Sequence, residues 1–473
     1  FGTNGVIIAD LGGVEGFSKV LIQPDDKIIV TTTSYDYTSN PMTSSIMVIR
    51  YNSDGSIDTS FGDDGIAKLT YNGTYTGTQS IVLQSDGKIV VLANTRIDYE
   101  NSADAMILVR FNSDGSFDTS YGNQGVASYD EEYDDQAMSA AIQNDDKVIV
   151  AARIPSLSNS SSKWDFTLLR YNTDGSLDSD FGNGGIATIA NPYYDIAWDV
   201  AVQNDGKIVV VGSDGGLGYP NWGYARFNSD GSPDVTFYSD GFKNGSVGGG
   251  GNNKRATAIA IGNNGEIAVS GEVNCYSGNT CFTISNFNQG GYNSIHLGEK
   301  YSPDTAYDIE ILSNNKRIVV GHVANNPSDG FGIVQFNEDH TLDTDFGDDG
   351  FIIKKIGDDS GAQSVAVQSD GKIVIAGTSD DDIALVRYIG PYTGPVWYVN
   401  DSGGGDDDNN DGSQSAPFKT IQYAIDKAAH LDTIIISSGD YAGPFTIKNK
   451  AVALIGEEDR EIRIQGDGEN NGT

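Results

Sequence analysis

Ile81-Val82-Leu83-Gln84-Ser85-Asp86-Gly87-Lys88-Ile89-Val90-Val91 reads as two apolar runs joined by a tight turn. Asp-Gly tolerates the positive φ that a short hairpin connection requires, so the segment is a β-hairpin. Residues 365–375 repeat it around Asp370-Gly371, and five weaker copies turn at Asp25-Asp26, Asp145-Asp146, Asp205-Gly206, Asn264-Gly265 and Asn314-Asn315. That makes seven hairpins. A third strand follows each, as at residues 106–111, then a second Asp-Gly turn, a Phe-Gly element and a fourth strand, as at residues 125–128. The strands are continuously apolar, which predicts sheets covered on both faces. Four-stranded sheets packed face to face around a ring form a β-propeller. The spacing of 60 residues between Phe1-Gly2, Phe61-Gly62, Tyr121-Gly122 and Phe181-Gly182 is long for one coil of a solenoid. The last repeat ends after its third strand, residues 383–388, while the chain opens on a fourth-type strand, Gly5-Val6-Ile7-Ile8-Ala9. Placing that strand on the last sheet closes seven blades and leaves no open edge.

The pattern from Arg50 to Gly62, Arg-Tyr-Asn-Ser-Asp-Gly-Ser-x-Asp-Thr-Ser-Phe-Gly, recurs from Arg110 to Gly122 with Phe111 for the Tyr and Tyr121 for the Phe. It resembles the delta-60 repeat of secreted bacterial β-propellers, and the likeness extends over nearly all of residues 1–390, with units five and six departing from it. The resemblance implies an extracellular or cell-surface bacterial protein, often from Bacteroidota and exported by type IX secretion. It implies no particular activity, because propellers host many. Within the repeat, Arg50, Arg110, Arg170 and Arg226 each have an Asp eight residues on: Asp58, Asp118, Asp178 and Asp234. Unit five loses both, with Asn286 and Ser294 in their places. Joint loss favours structural ion pairs over a ring of anion-binding arginines, although unit six keeps Asp343 with Gln335 at the Arg position. Arg387 has no such Asp after it, and circular closure places the expected one before Phe1. The turn at Asn52 to Asp58 alternates oxygens as a calcium loop does, but its Gly is misplaced and a structural turn fits better.

The 473 residues carry a net charge of −37. So acidic a chain argues against nucleic acid as a partner, and no apolar run approaches the ~20 residues of a membrane span. Cys275 and Cys281 either close a short disulfide loop or remain two thiols, the high Tyr, Gly and Asp content leaning towards secretion. The loops joining second to third strands, and fourth strands to the next blade, share one face. They carry Tyr35, Tyr37, Tyr99, Tyr133, Trp164, Tyr193, Tyr194, Tyr219 and Trp222 beside acidic groups. Aromatic faces with carboxylates suit a glycan or a protein hot spot; the plainer reading is loop decoration in a Tyr-rich chain.

At Gly394-Pro395 the repeat ends, giving a propeller over 1–394 and a second module over 395–473. Asp407, Asn409, Asp411 and Gly412 match the opening of a calcium loop, but Phe418 stands where the twelfth-position acid should be. Calcium is therefore the one cofactor in view, against a solvated acidic loop. A helix is expected next, capped by Ser415 with Pro417 in its first turn and Ile421, Ala424, Ile425 and Ala428 on its apolar face. Strands are expected at 433–436, 445–447, 452–455 and 462–464. Pro417-Phe418-Lys419-Thr420-Ile421-Gln422 and Asp432-Thr433-Ile434-Ile435 resemble the cap and first coils of a pectate-lyase-like right-handed β-helix. Two coils bury little core, which predicts further residues at this end as at the other.

No HExxH, P-loop, GxSxG or paired-Cys motif is present, and the four histidines are scattered. The leading expectation is a non-catalytic recognition or scaffold protein, adhesin-like, whose partner is a glycan or a surface or outer-membrane protein. The alternatives are the binding module of a polysaccharide-degrading enzyme whose β-helix continues past residue 473, and a structural partner of a secretion or gliding apparatus.

Overall fold

The structure is a computed structural model. It describes all residues except 17–18, 41, 73–74, 97–103, 130–134, 155–163, 190–194, 216–220, 246, 248–253, 263, 277–278, 288–291, 299–303, 325–328, 348, 390–395, 401–404, 408, 411, 429–432, 438, 443–444, 447–452, 457–461 and 466–473. The chain divides into two compact units, Phe1–Gln368 with Ile373–Tyr388, and Ile389–Thr473 with Ser369–Lys372.

The first unit is a propeller of seven antiparallel blades. Blade 2 shows the plan: Tyr75–Leu83, Ile89–Arg96, Asp104–Phe111 and Val126–Tyr129 pair in sequence order. The second residue of every hairpin turn takes positive φ, from Asp26 at 63° and Gly87 at 82° to Asn315 at 60° and Gly371 at 79°. This is the geometry that Asp, Asn and Gly adopt at least cost. The middle strands are buried along their length, as in Ile208–Asp214, because each sheet is covered on both faces. Blade 7 is completed by the N-terminal strand Val6–Ala9, which lies antiparallel to Asp382–Ile389 with Ala9 opposite Ile383. Cys275 and Cys281 form a disulfide across the hairpin of Ile267–Tyr276 and Asn279–Asn286, with Cα atoms 6.1 Å apart.

Each first strand from blade 2 to blade 7 carries a β-bulge at the same place. Register shifts fall between Thr78 and Ser80, Ala137 and Ser139, Ala197 and Asp199, Ala256 and Ala258, Ala306 and Asp308, and Ala362 and Ser364. The bulge presses the first strand against the second. A Cβ on Gly212 would stand 1.9 Å from the Ile196 carbonyl oxygen, and one on Gly321 equally close to that of Thr305. Only glycine admits the bulge at those two positions.

In the second unit, Val396–Val399, Thr433–Ile436 and Ala453–Gly456 stack as parallel strands, as do Gly439–Ala442 and Ile462–Gln465. Parallel stacking of successive turns is β-helix geometry. The first coil thus begins at Val396, and a strand occupies Gly439–Ala442; of the strand expected at 445–447, Phe445 and Thr446 are not in a strand and Ile447 lies outside the described residues. The helix also differs from expectation. It spans Ile421–Lys427 and its cap is Thr420, whose hydroxyl accepts from the Tyr423 amide, while Ser415 lies in a preceding turn. Phe418 explains the shift: it is 3% exposed and stacks on Trp397 at 5.5 Å, so residues up to 418 serve the core before the helix starts. Ile421, Ala424, Ile425 and Ala428 are buried, as the apolar spacing requires.

Candidate functional site

The repeated arginines are structural clasps. Arg50 Nε donates to Asp58 Oδ2 at 2.7 Å, Nη1 donates to the Ser113 carbonyl of the next blade at 2.7 Å, and the guanidinium lies 4.4 Å over the Phe61 ring. Arg110 and Arg170 repeat the pattern with Asp118 and Asp178 at 2.8 and 2.7 Å, and Arg226 pairs with Asp234 at 2.7 Å. Arg387 donates to the Ser53 carbonyl at 2.6 Å and lies over Phe1 at 4.4 Å, so the N-terminal residue serves blade 7 as Phe61 serves blade 1. Hairpin lysines join in: Lys147 reaches Asp178 at 2.8 Å and Lys207 reaches Asp234 at 2.9 Å. The Ser60 hydroxyl, then Lys27 and Arg50, hold the Asp58 carboxyl well below the usual range although burial works against them. At Asp118, burial alone would raise the carboxyl, and Ser120 and Arg110 outweigh it to leave it lowered. Where blade 5 loses the pair, Glu266 replaces the hairpin lysine and binds the fully buried Arg317 of blade 6. The charge is swapped across the junction.

The aromatic rim is only partly brought together. Tyr35 stacks on Tyr37 with centroids 6.0 Å apart, and Tyr37 is 57% exposed. Trp164 lies under the Arg153 guanidinium at 4.1 Å. Trp222 is a correction: it is buried, with its indole N–H donating to the Glu272 carbonyl at 3.1 Å. The third strand of blade 4 begins at Asn221, so Trp222 already points into the layer between blades. Tyr99, Tyr133, Tyr193, Tyr194 and Tyr219 lie outside the described residues. In the acidic loop, Asp407 accepts from the Lys419 amide at 2.7 Å and from the Thr420 amide and hydroxyl at 3.0 and 2.7 Å. Its oxygens are engaged in fastening the loop to the helix start. Asn409 donates to Asp406 at 2.8 Å, and Asp411 lies outside the described residues. His296 pairs with Asp304 at 2.8 Å and His322 with Asp329 at 2.9 Å.

A different constellation lies on the propeller axis. Lys19 Nζ of blade 1 reaches Asp308 Oδ2 of blade 6 at 3.3 Å, passing blade 7. Only strands lining the axis can meet that way. Asp308 also accepts from the Ser364 hydroxyl at 2.8 Å and the Val365 amide at 3.0 Å. Asp199 accepts from the Ser139 hydroxyl at 2.6 Å and the Ile259 amide at 2.9 Å. Above these groups, a cleft of about 150 Å³ is lined by Gln79, Met138, Trp198, Thr257 and Tyr307 together with Lys19, Ser139, Asp199 and Arg255. The first five are the extra residues of five bulges; bulges re-aim side chains, here into one shared space.

Arg255 Nε lies 2.7 Å from Glu272, and its guanidinium sits 5.0 Å from the Trp198 ring. Tyr307 is 36% exposed. Burial works to lower the Lys19 ammonium, but Asp308 and Asp199 outweigh it and leave it raised. Burial raises the Asp199 carboxyl, with Lys19 and Ser139 opposing. Glu310, one pleat beyond Asp308 on the same strand, is pushed up to about 8 by burial and the Asp308 charge. The cleft offers aromatic faces and paired charges, while Glu310 lies outside its lining. The sequence held a signal for it. At aligned first-strand positions the blades read Ser80, Ser139, Asp199, Ala258, Asp308, Ser364 and Lys19. The charged exceptions to small residues mark the site.

The family model described as "Domain of unknown function (DUF5122) beta-propeller" matches residues 23–61, 84–121, 143–181, 203–237 and 368–388. "Protein of unknown function (DUF1565)" matches residues 403–469. No curated protein matches the chain. Among solved structures, polysaccharide lyase Uly1 is similar at 12% identity and a TM-score of 0.41, covering 78% of this chain and 89% of its own. The gluconolactonase XC5397 from Xanthomonas campestris is similar at 12% identity and a TM-score of 0.35, covering 67% and 90%. A glucose dehydrogenase gives 10% identity and 0.38, covering 81% and 99%. Likenesses at this level carry no argument about activity. What the family matches and the seven closed blades do establish is that the chain joins a DUF5122 β-propeller, of the delta-60 repeat type, to a DUF1565 module of the pectate-lyase-like β-helix kind.

Proposed function

We propose that the propeller is a non-catalytic glycan-recognition module of a secreted or cell-surface protein, and that its axial cleft receives one sugar ring. The combination of propeller and β-helix is compatible with an extracellular, carbohydrate-related protein. The observation that carries the proposal is the convergence of five bulge residues, Trp198 and Tyr307 among them, on one cleft of about 150 Å³. Aromatic faces take the apolar face of a sugar, while Lys19, Asp199, Gln79 and Thr257 offer hydroxyls both donors and acceptors. So small a space suits a sugar ring better than a protein surface. The test is binding of the full chain to a panel of neutral and uronate-bearing oligosaccharides. Trp198→Ala and Tyr307→Ala should each weaken the best binder at least about tenfold; unchanged affinity in both removes the cleft from consideration.

Glu310 does not line the cleft, but it lies two residues from the axial Asp308 on the same strand and its carboxyl is raised by burial; a second reading follows, since such a group is suited to general acid–base work. Release of sugar ends from a polysaccharide by the full chain, abolished by Glu310→Gln, would replace recognition with catalysis.

A further inference from the structure

The ring closes at a seam where the chain is discontinuous: blade 7 is completed by Val6–Ala9, a strand from the opposite end of the propeller sequence. Three carboxylates meet there. Asp10 follows the closing strand, Asp382 opens its partner, and Glu15 lies in Val14–Glu15, which pairs with Ser34 and Tyr35 of blade 1. One oxygen of each lies within 4.8 Å of the others. Glu15 is 4% exposed, and neither of its oxygens accepts a hydrogen bond of normal geometry, although the Ser34 hydroxyl and Leu11 backbone are near enough to be felt. Its own amide donates to the Asp381 carbonyl at 2.8 Å, which fixes the side chain at the seam. Asp10 accepts from the Gly12 amide at 2.7 Å. Among the described residues, no Lys, Arg or His forms an ion pair with any of the three.

A buried carboxylate without a donor costs several kcal/mol unless it is paired, protonated or bound to a metal. A second and third carboxylate beside it add repulsion that one divalent cation would reverse. All-oxygen donors from three places in the chain match the chemistry of a hard cation that tolerates irregular geometry. That description fits calcium better than magnesium, which demands a compact octahedron.

We propose that Asp10, Glu15 and Asp382 bind a calcium ion that clamps the N-terminal strand to blades 7 and 1. The site is separate from the axial cleft, and neither reading depends on the other. Bound calcium would bridge the closing strand, its partner and the next blade, so it stabilises the closed ring.

The experiment is thermal unfolding of the full chain in EDTA, in excess calcium and in excess magnesium, for the wild type and Glu15→Gln. Calcium should raise the wild-type Tm by about 5 °C, with a smaller effect from magnesium. Glu15→Gln should lose that increment, yet in EDTA it should unfold no lower than the wild type because one repelling charge is gone. Asp382→Asn, at a more exposed position, provides the same reading if Glu15→Gln fails to fold. Asp407→Asn controls for the acidic loop and should retain the full increment. No calcium-induced rise in the wild type, or an undiminished rise in the folded seam variants, overturns the proposal.

Discussion

Arg110 and Asp118 occupy the same place in one blade as Arg170 and Asp178 in the next, whereas Lys19, Asp199, Asp308 and Glu310 each break a position that other blades fill with small or apolar residues. The two sets use the same residue types to different ends. In blades 1 to 4 each ring carboxylate meets an arginine of its own blade, and in blades 1 to 3 that arginine also binds the next blade's turn. On the axis, the charges come from blades 1, 4 and 6 and meet across the channel. Repetition marks what holds the blades together; departure from it marks the cleft. The electrostatic signatures differ as well. Ring carboxyls such as Asp118 are held low, whereas Asp199 and Glu310 are raised by burial.

The largest effect should come from breaking one clasp. Arg110→Ala leaves Asp118 partly buried without its guanidinium partner and strips the Tyr121 ring of its cover. It should cost about 3 kcal/mol in denaturant unfolding of the propeller. Arg226→Ala should cost less, because Arg226 is 16% exposed at its side chain against 8% for Arg110. Equal losses would mean that burial does not set the strength of the clasps.

The second test is pH, and its sign differs between the two regions. Glu310 binds its proton more tightly folded than unfolded, so folding takes up a proton between the unfolded value and about 8. Stability should therefore fall as pH rises through that window, by about 3 kcal/mol once solvent in the channel is allowed for. Glu310→Gln should flatten this limb. Asp118 is lowered on folding, so its contribution is complete above the ordinary Asp value and is lost as pH falls below ~4. Glu310→Gln should leave that acid limb untouched. A variant that moved both limbs would show the regions to be coupled.

Smaller still is the cleft itself. Tyr307→Ala should weaken sugar binding about tenfold while changing the Tm little, because the ring is partly exposed and outside the blade cores. The smallest effect should follow Thr420→Ala in the second unit, where one capping hydroxyl is lost, at ~1 kcal/mol in that unit's unfolding. Loss of sugar binding in that variant would carry recognition beyond the propeller.

The architecture was legible in the chain alone. Asp-Gly, Asp-Asp and Asn-Gly turns are local devices whose positive φ is encoded in two residues, and seven copies with a displaced fourth strand leave one way to close a ring. The Arg–Asp pairs were legible for the same reason, because each lies within eight residues of chain. The rim was read less well. Trp222 looked like a loop residue because a strand's first residue cannot be told from a loop's last by composition, and only pairing with Gly245 settles its direction. Ser415 failed as a cap because Phe418 had first to reach the core. The repeat alignment marks Lys19, Asp199 and Asp308 as departures, but only the tertiary structure brings them, and the carboxylates at the seam, together. Lys19 and Asp308 stand 289 residues apart, and Asp10 and Asp382 come from opposite ends of the propeller sequence. Nothing local relates them. Ring closure brings them together, and burial then gives those charges their character.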